Sequence, residues 1–91
     1  MRLRWSSLAR LRYIEQINYI GDRNLPAALK IKEKIKIATD KLLIHPEIGR
    51  KGRCEGTREL VVSGTPLIIV YTIVREDIFI ANILHTARDY P

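Results

Sequence analysis

Two stretches of the chain gather side chains able to hold an anion or move a proton. In the first, Gly49-Arg50-Lys51-Gly52-Arg53 is followed closely by Gly56-Thr57-Arg58, so that four cations lie within nine residues. The glycines let the backbone approach a phosphate or carboxylate, and arginine's planar fork can donate two parallel hydrogen bonds to either. The same pattern also describes a loop whose glycines make turns and whose arginines stay solvated. The second stretch is the ending His85-Thr86-Ala87-Arg88-Asp89-Tyr90-Pro91. It sets an imidazole that titrates near neutrality beside a guanidinium that could hold a phosphate and a phenol that could stack on a base. Alternatively, Tyr90 packs on the sheet edge and Arg88 pairs with a nearby acid. Other candidates carry less. His45 precedes a helix-ending proline and suits a C-terminal cap, and Cys54 has no paired histidine in sequence. Glu15, Glu33 and Glu47 show no spacing for paired-carboxylate chemistry. Trp5 and Tyr13 suit a core or an interface. No phosphate loop, dinucleotide fingerprint or metal motif occurs, and neither a metal nor a cofactor is expected.

The elements that must position these groups are legible from periodicity. Arg2 to Trp5 alternates basic and apolar residues, as a short strand does. Ser6 and Ser7 offer an N-cap for a helix that carries Leu8, Leu11, Ile14, Ile17 and Ile20 at every third position, and Gly21 is placed to end it in a left-handed conformation. Asn24 is placed to cap a second helix, with Pro26 harmless in its first turn. Ala28, Ile31, Ile35, Ala38 and Leu42 form that helix's buried stripe, and Lys30, Lys34 and Lys41 its basic outer surface. The short connection makes the pair an antiparallel hairpin, and His45-Pro46 ends the second helix. Residues 46–57 read as a loop. Three β-like runs follow, Arg58 to Ser63, Leu67 to Val74 and Ile78 to Leu84, joined by turns as an antiparallel meander. The second is almost wholly apolar, which predicts a central strand covered on both faces. The expected fold is α+β, in the order β-α-α-β-β-β, with a helical hairpin on a small, mainly antiparallel twisted sheet.

Composition bounds the function. With 91 residues, 46% of them hydrophobic, the chain makes one globular domain over residues 1–91. One cysteine excludes an internal disulfide, no apolar run spans a bilayer, and no apolar core follows the basic N-terminus, so a reducing cytoplasm is the expected compartment. The net charge of +6 is uneven: residues 1–53 carry +8 and residues 54–91 carry −2. Such asymmetry fits a basic face for nucleic acid or an acidic protein, and equally a lysine-rich surface that keeps the domain soluble.

In order along the chain stand Trp5-Ser6 entering the first helix, Tyr19-Ile20 near its end and Asn24-Leu25-Pro26-Ala27-Ala28 opening the second. Leu42-Leu43-Ile44-His45-Pro46, Gly49-Arg50, Gly52-Arg53, Gly56-Thr57-Arg58-Glu59-Leu60-Val61-Val62, Val70-Tyr71 and the Leu84–Pro91 ending complete the series. In this order and spacing the chain resembles the toxins of bacterial type II toxin–antitoxin pairs in the RelE/ParE superfamily, over about Trp5 to Pro91. The resemblance implies a cytoplasmic bacterial toxin, held in a hetero-oligomer by an acidic antitoxin. It implies one of two targets. ParE-like members inhibit DNA gyrase and have no accepted catalytic residues; RelE-like members are ribosome-dependent endoribonucleases that cut mRNA. RelE-like nucleases place lysines and arginines on the central strands, where the matching positions here are Glu59, Val61 and Ile68. Those side chains cannot neutralise a developing phosphate dianion, which favours the ParE-like branch. His85, Arg88 and Tyr90 would be the catalytic set of an interferase. A non-toxic relative that only binds antitoxin is a third possibility. On the ParE-like reading, Arg50, Arg53, Arg58, His85 and Arg88 are expected to contact the target. Leu8, Leu11, Arg12, Lys30, Lys34 and Lys41 are expected to contact the antitoxin, which would fold along the hairpin and an exposed sheet edge.

Overall fold

Ser6 starts the first helix and fastens it to the sheet at once. Its Oγ accepts from the N–H of Ala9 at 2.9 Å and donates to the carbonyl of Ala81 at 2.8 Å. The computed structural model describes residues 1–89, running β1 (Leu3–Trp5), α1 (Ser7–Gly21), α2 (Leu25–Ile44), β2 (Arg50–Lys51), β3 (Arg58–Val61), β4 (Leu67–Val74), β5 (Asp77–His85) and α3 (Thr86–Asp89). Two short elements add to the order expected from sequence: β2, inside the stretch read as a loop, and α3 after the last strand. Gly21 is not a left-handed stop. It remains helical, Asp22 follows in right-handed geometry, and the N–H of Asn24 closes on the carbonyl of Ile20 at 2.7 Å. Asn24 caps α2 as expected, its Oδ1 accepting from Ala27 at 3.1 Å.

The five strands are ordered β1-β5-β4-β3-β2, with β1 parallel to β5 and every other pair antiparallel. Strand β4 is central, as its apolar run predicts, but the helices lie on one face only. Ile35, Ala38 and Leu42 of α2 and Ala9 of α1 bury against Leu67, Ile69 and Tyr71 of β4 and Ile78, Ile80 and Ile83 of β5. On the other face Ile68 is buried and Val70 and Thr72 half-buried; no helix lies there, but Thr72 Oγ1 donates to the carbonyl of Gly56, so the 52–57 loop gives part of the expected cover. A bulge interrupts the pairing of β5 with β4. Tyr71 pairs with Ile80 and Val70 with Asn82, leaving Ala81 unpaired. Beyond it the alternation of side chains flips, so that Ile83 and His85 face the helices.

The stripe read along α1 divides. Residues three apart on a helix fall back by about 60° per step, because each residue turns about 100°. Leu8, Leu11 and Ile14 therefore point to solvent, 45%, 54% and 47% exposed, whereas Ile17 and Ile20 are half-buried. The buried face is instead built from Ala9 and Gln16, with Tyr13 packed edge-on against Trp5 at 5.5 Å between ring centroids.

Tyr71 ties the end of the hairpin to the sheet. Its hydroxyl donates to the carbonyl of Pro46 at 2.7 Å and accepts from the N–H of Gly49 at 2.9 Å. Tyr71→Phe is expected to strand both groups, costing about 2–4 kcal/mol and lowering Tm by about 10 °C or more, which calorimetry would measure. Burial raises the phenol's pKa above the usual tyrosine value, although the Gly49 N–H and the Arg58 charge oppose it, and burial raises Tyr13 likewise. With the folded pKa raised, the native state holds the proton longer. Stability is therefore whole below about pH 10 and falls as pH climbs toward the folded values. A pH series of denaturation midpoints should show this alkaline decline, with Tyr71→Phe losing its share.

Candidate functional site

The arginine-rich loop is an ordered hairpin. Strand β2 pairs Arg50 with Glu59 and Lys51 with Arg58. Glu59 is 5% exposed, and one of its carboxylate oxygens accepts from Nη2 of Arg50 at 3.2 Å while the other accepts from the backbone N–H of Arg53 at 3.2 Å. Arg58 donates through Nη1 to the carbonyls of Gly49 at 2.9 Å and Glu47 at 3.3 Å. Arg50 and Arg58 thus hold this hairpin closed, a structural use that their clustering does not reveal. The second residue of each interaction lies too far along the chain for the motif to show it.

The sheet face turned away from the helices carries the positions that separate the two toxin branches. Register places Glu59 beside Val70, and Val61 beside Ile68, which in turn faces Leu84. Glu59 is already neutralised by Arg50, and its neighbours there are aliphatic. This surface offers little to a transferring phosphate.

His85 and Arg88 do come together, but elsewhere. The β5 bulge turns His85 to the helix side, where a cavity of about 180 Å³ opens between α1 and the end of β5. Its polar lining is Gln16, Tyr19, His85 and Arg88, and Ile20, Ile31 and Leu67 supply aliphatic walls. The backbone N–H of Ala87 donates to Nδ1 of His85 at 3.1 Å, so the neutral imidazole carries its proton on Nε2. Asp89 is occupied in accepting the N–H of His85 at 2.7 Å. The guanidinium of Arg88 lies 5.8 Å from the centre of the Tyr19 ring, whose other close cation is Arg23 at 3.7 Å. Tyr90, assigned from sequence to this cluster, lies outside the described residues. Gln16 was not foreseen; its only signal is a polar residue at the 9, 13, 16 spacing that α1 buries.

The five residues expected to form one target surface are therefore split. His85 pairs with Leu67 and Arg58 with Tyr71, four residues further along β4, or about 13 Å at ~3.3 Å per residue. Arg50 and Arg53 sit beyond, at the β2 edge.

The residues expected to meet an antitoxin do lie on the hairpin's outer surface. Leu8 and Leu11 join Ile14 in an exposed apolar patch, with Arg12 half-buried beside it; Lys30 and Lys41 are exposed. Lys34 is partly engaged, its Nζ donating to the carbonyl of Gly64 at 3.2 Å. Sequence reasoning missed a groove of about 330 Å³ between the helices, floored by Trp5 and Tyr13 and rimmed by Arg10, Lys32 and Lys36. Among the described residues no helix is long and apolar enough to cross a membrane.

Known proteins share this arrangement. Residues 3–90 match the family model described as the ParE toxin of type II toxin–antitoxin systems, parDE. The Sinorhizobium fredii protein Y4kP, described only provisionally as a toxin, is 38% identical over 99% of this chain and 93% of its own. Toxin RelE2 of Caulobacter vibrioides is 37% identical over 92% of this chain and 91% of its own. A solved chain of the chromosomal ParDE system from P. aeruginosa superposes with a TM-score of 0.82 over 93% of this chain and 95% of that one, at 22% identity, and so shares the fold. This βααββββ domain, matched over nearly its whole length, belongs to the ParE toxin family of type II toxin–antitoxin systems, within the RelE/ParE superfamily.

Proposed function

We propose that the protein inhibits DNA gyrase and is neutralised by an acidic antitoxin bound to its helical hairpin. The observation that carries the choice of target is the sheet face turned away from the helices, where Glu59 is buried against Arg50 and Val61, Ile68 and Leu84 are aliphatic. An endoribonuclease needs fixed cations and a proton acceptor around the scissile phosphate. The His85–Arg88 pair favours the interferase alternative only in part. It lies behind the sheet, on the helix side, and with Nδ1 accepting from Ala87 the neutral imidazole carries its proton on Nε2.

Neutralisation follows from charge and shape. The +8 first half of the chain raises the encounter rate with an acidic segment, and the Leu8, Leu11 and Ile14 patch gives such a segment apolar area to cover. The groove over Trp5 and Tyr13 would accept an apolar anchor beneath a basic rim.

Purified protein should block supercoiling of relaxed plasmid by gyrase, and the antitoxin should restore it. Ribosome-dependent cleavage of a defined mRNA, lost in His85→Ala, with supercoiling untouched, would replace this reading by the interferase one.

A further inference from the structure

The cavity at the end of β5 is lined by His85 and Arg88, two of the residues expected to contact the target, together with Gln16. Gln16 is 6% exposed and lines the cavity, and its amide can offer both a donor and an acceptor there. His85 accepts the Ala87 N–H at Nδ1, so its neutral form carries the proton on Nε2, and Arg88 lines the same space with its guanidinium 5.8 Å from the Tyr19 ring centre. These are donors, and among the described residues no carboxylate lines the space. The nearest acid, Asp89, is held by the N–H of His85. One permanent cation matches a single negative charge rather than a phosphate dianion, and two oxygens suit a guanidinium fork supplemented by an amide. Aliphatic walls require that the anion be carried on an apolar stem.

We propose that this cavity is a carboxylate-binding pocket, and that its occupant is an acidic side chain of the antitoxin. The occupant rests on the proposed toxin function; the pocket's chemistry does not.

The test begins with 4-methylpentanoate, a carboxylate on an aliphatic stem, titrated into isotopically labelled protein and followed by NMR. Saturable shifts are expected at the Gln16 side-chain amide, the His85 ring and the Arg88 guanidinium, with a Kd on the order of millimolar. The uncharged amide of the same acid should bind at least about tenfold more weakly, which is about 1.4 kcal/mol. Gln16→Leu and Arg88→Gln should each abolish saturation, and their backbone spectra report whether the fold is intact. The absence of saturation, equal binding of the amide, or preference for inorganic phosphate would overturn the pocket. The second arm measures antitoxin affinity, which the same two variants should reduce by about ten- to a hundredfold. Unchanged affinity would overturn the occupant while leaving the toxin reading intact. If the wild-type protein bound no antitoxin, the toxin reading and the occupant would fall together, and the titration alone would decide the pocket.

Discussion

Gly49→Ala is expected to cost about 3–7 kcal/mol and to leave the domain close to unfolding. A Cβ there would lie 2.6 Å from the Tyr71 hydroxyl oxygen, 2.7 Å from a carbon of its ring and 3.0 Å from the carbonyl oxygen of Glu59. None of these can retreat cheaply. Tyr71 is fully buried and held at both ends of its hydroxyl, and the Glu59 carbonyl belongs to β3. Overpacking of this kind costs about 1–3 kcal/mol, and breaking the two phenol hydrogen bonds adds about 2–4 more. A chain of this length is stable by about 5–14 kcal/mol in total. Urea denaturation followed by circular dichroism would read the change directly; a loss below about 1 kcal/mol would mean that the 46–49 segment yields without strain.

The largest functional effect is expected on the opposite side of the molecule. Leu8→Asp and Leu11→Asp should each weaken antitoxin binding by about a hundredfold or more, because each sets a carboxylate in a patch meant for apolar contact with an acidic partner. The free domain should hardly notice. Both leucines are about half exposed, and surface changes usually lie within about 0.5 kcal/mol. Leu8→Asp should even stabilise slightly, since the first turn of α1 has no acid to meet the helix dipole. Calorimetric titration with the antitoxin, beside denaturation of the free variants, separates the two quantities. Equal losses in both would show that these side chains serve the fold, and unchanged binding would move the antitoxin off this face.

Much of the fold is written in local signals. Asn24 and Pro26 mark the start of α2, the stripe from Ala28 to Leu42 marks its buried side, and the run from Leu67 to Val74 marks the middle of the sheet. What escapes a sequence reading depends on partners distant along the chain. Strand β2 has two residues, too few for any period, and exists because Glu59 lies across from Arg50. Gly21 looks like a helix stop, but the turn after α1 closes with right-handed residues and makes no use of it. The nearness of His85 to Arg88 is evident in sequence. Which face of the sheet His85 takes depends on the unpaired Ala81, and nothing in IFIANIL announces a bulge. Gln16 is invisible for a related reason: a lone polar residue on a helix looks solvated until the strand behind it is known.

The parallel pairing of β1 with β5 also sets when the molecule can come into being. Leu3 meets Ile78 and Trp5 meets Ile80, so the first strand of the domain must wait for its last. The meander of β3, β4 and β5 can pair as it emerges, but the N-terminal edge strand and the Ser6 bonds to Ile80 and Ala81 cannot. Contacts of such long sequence separation are the slow ones in folding. The domain therefore stays incomplete until β5 has been made, and its finished hairpin surface appears only then. An antitoxin already present in the cell would meet that surface as it forms.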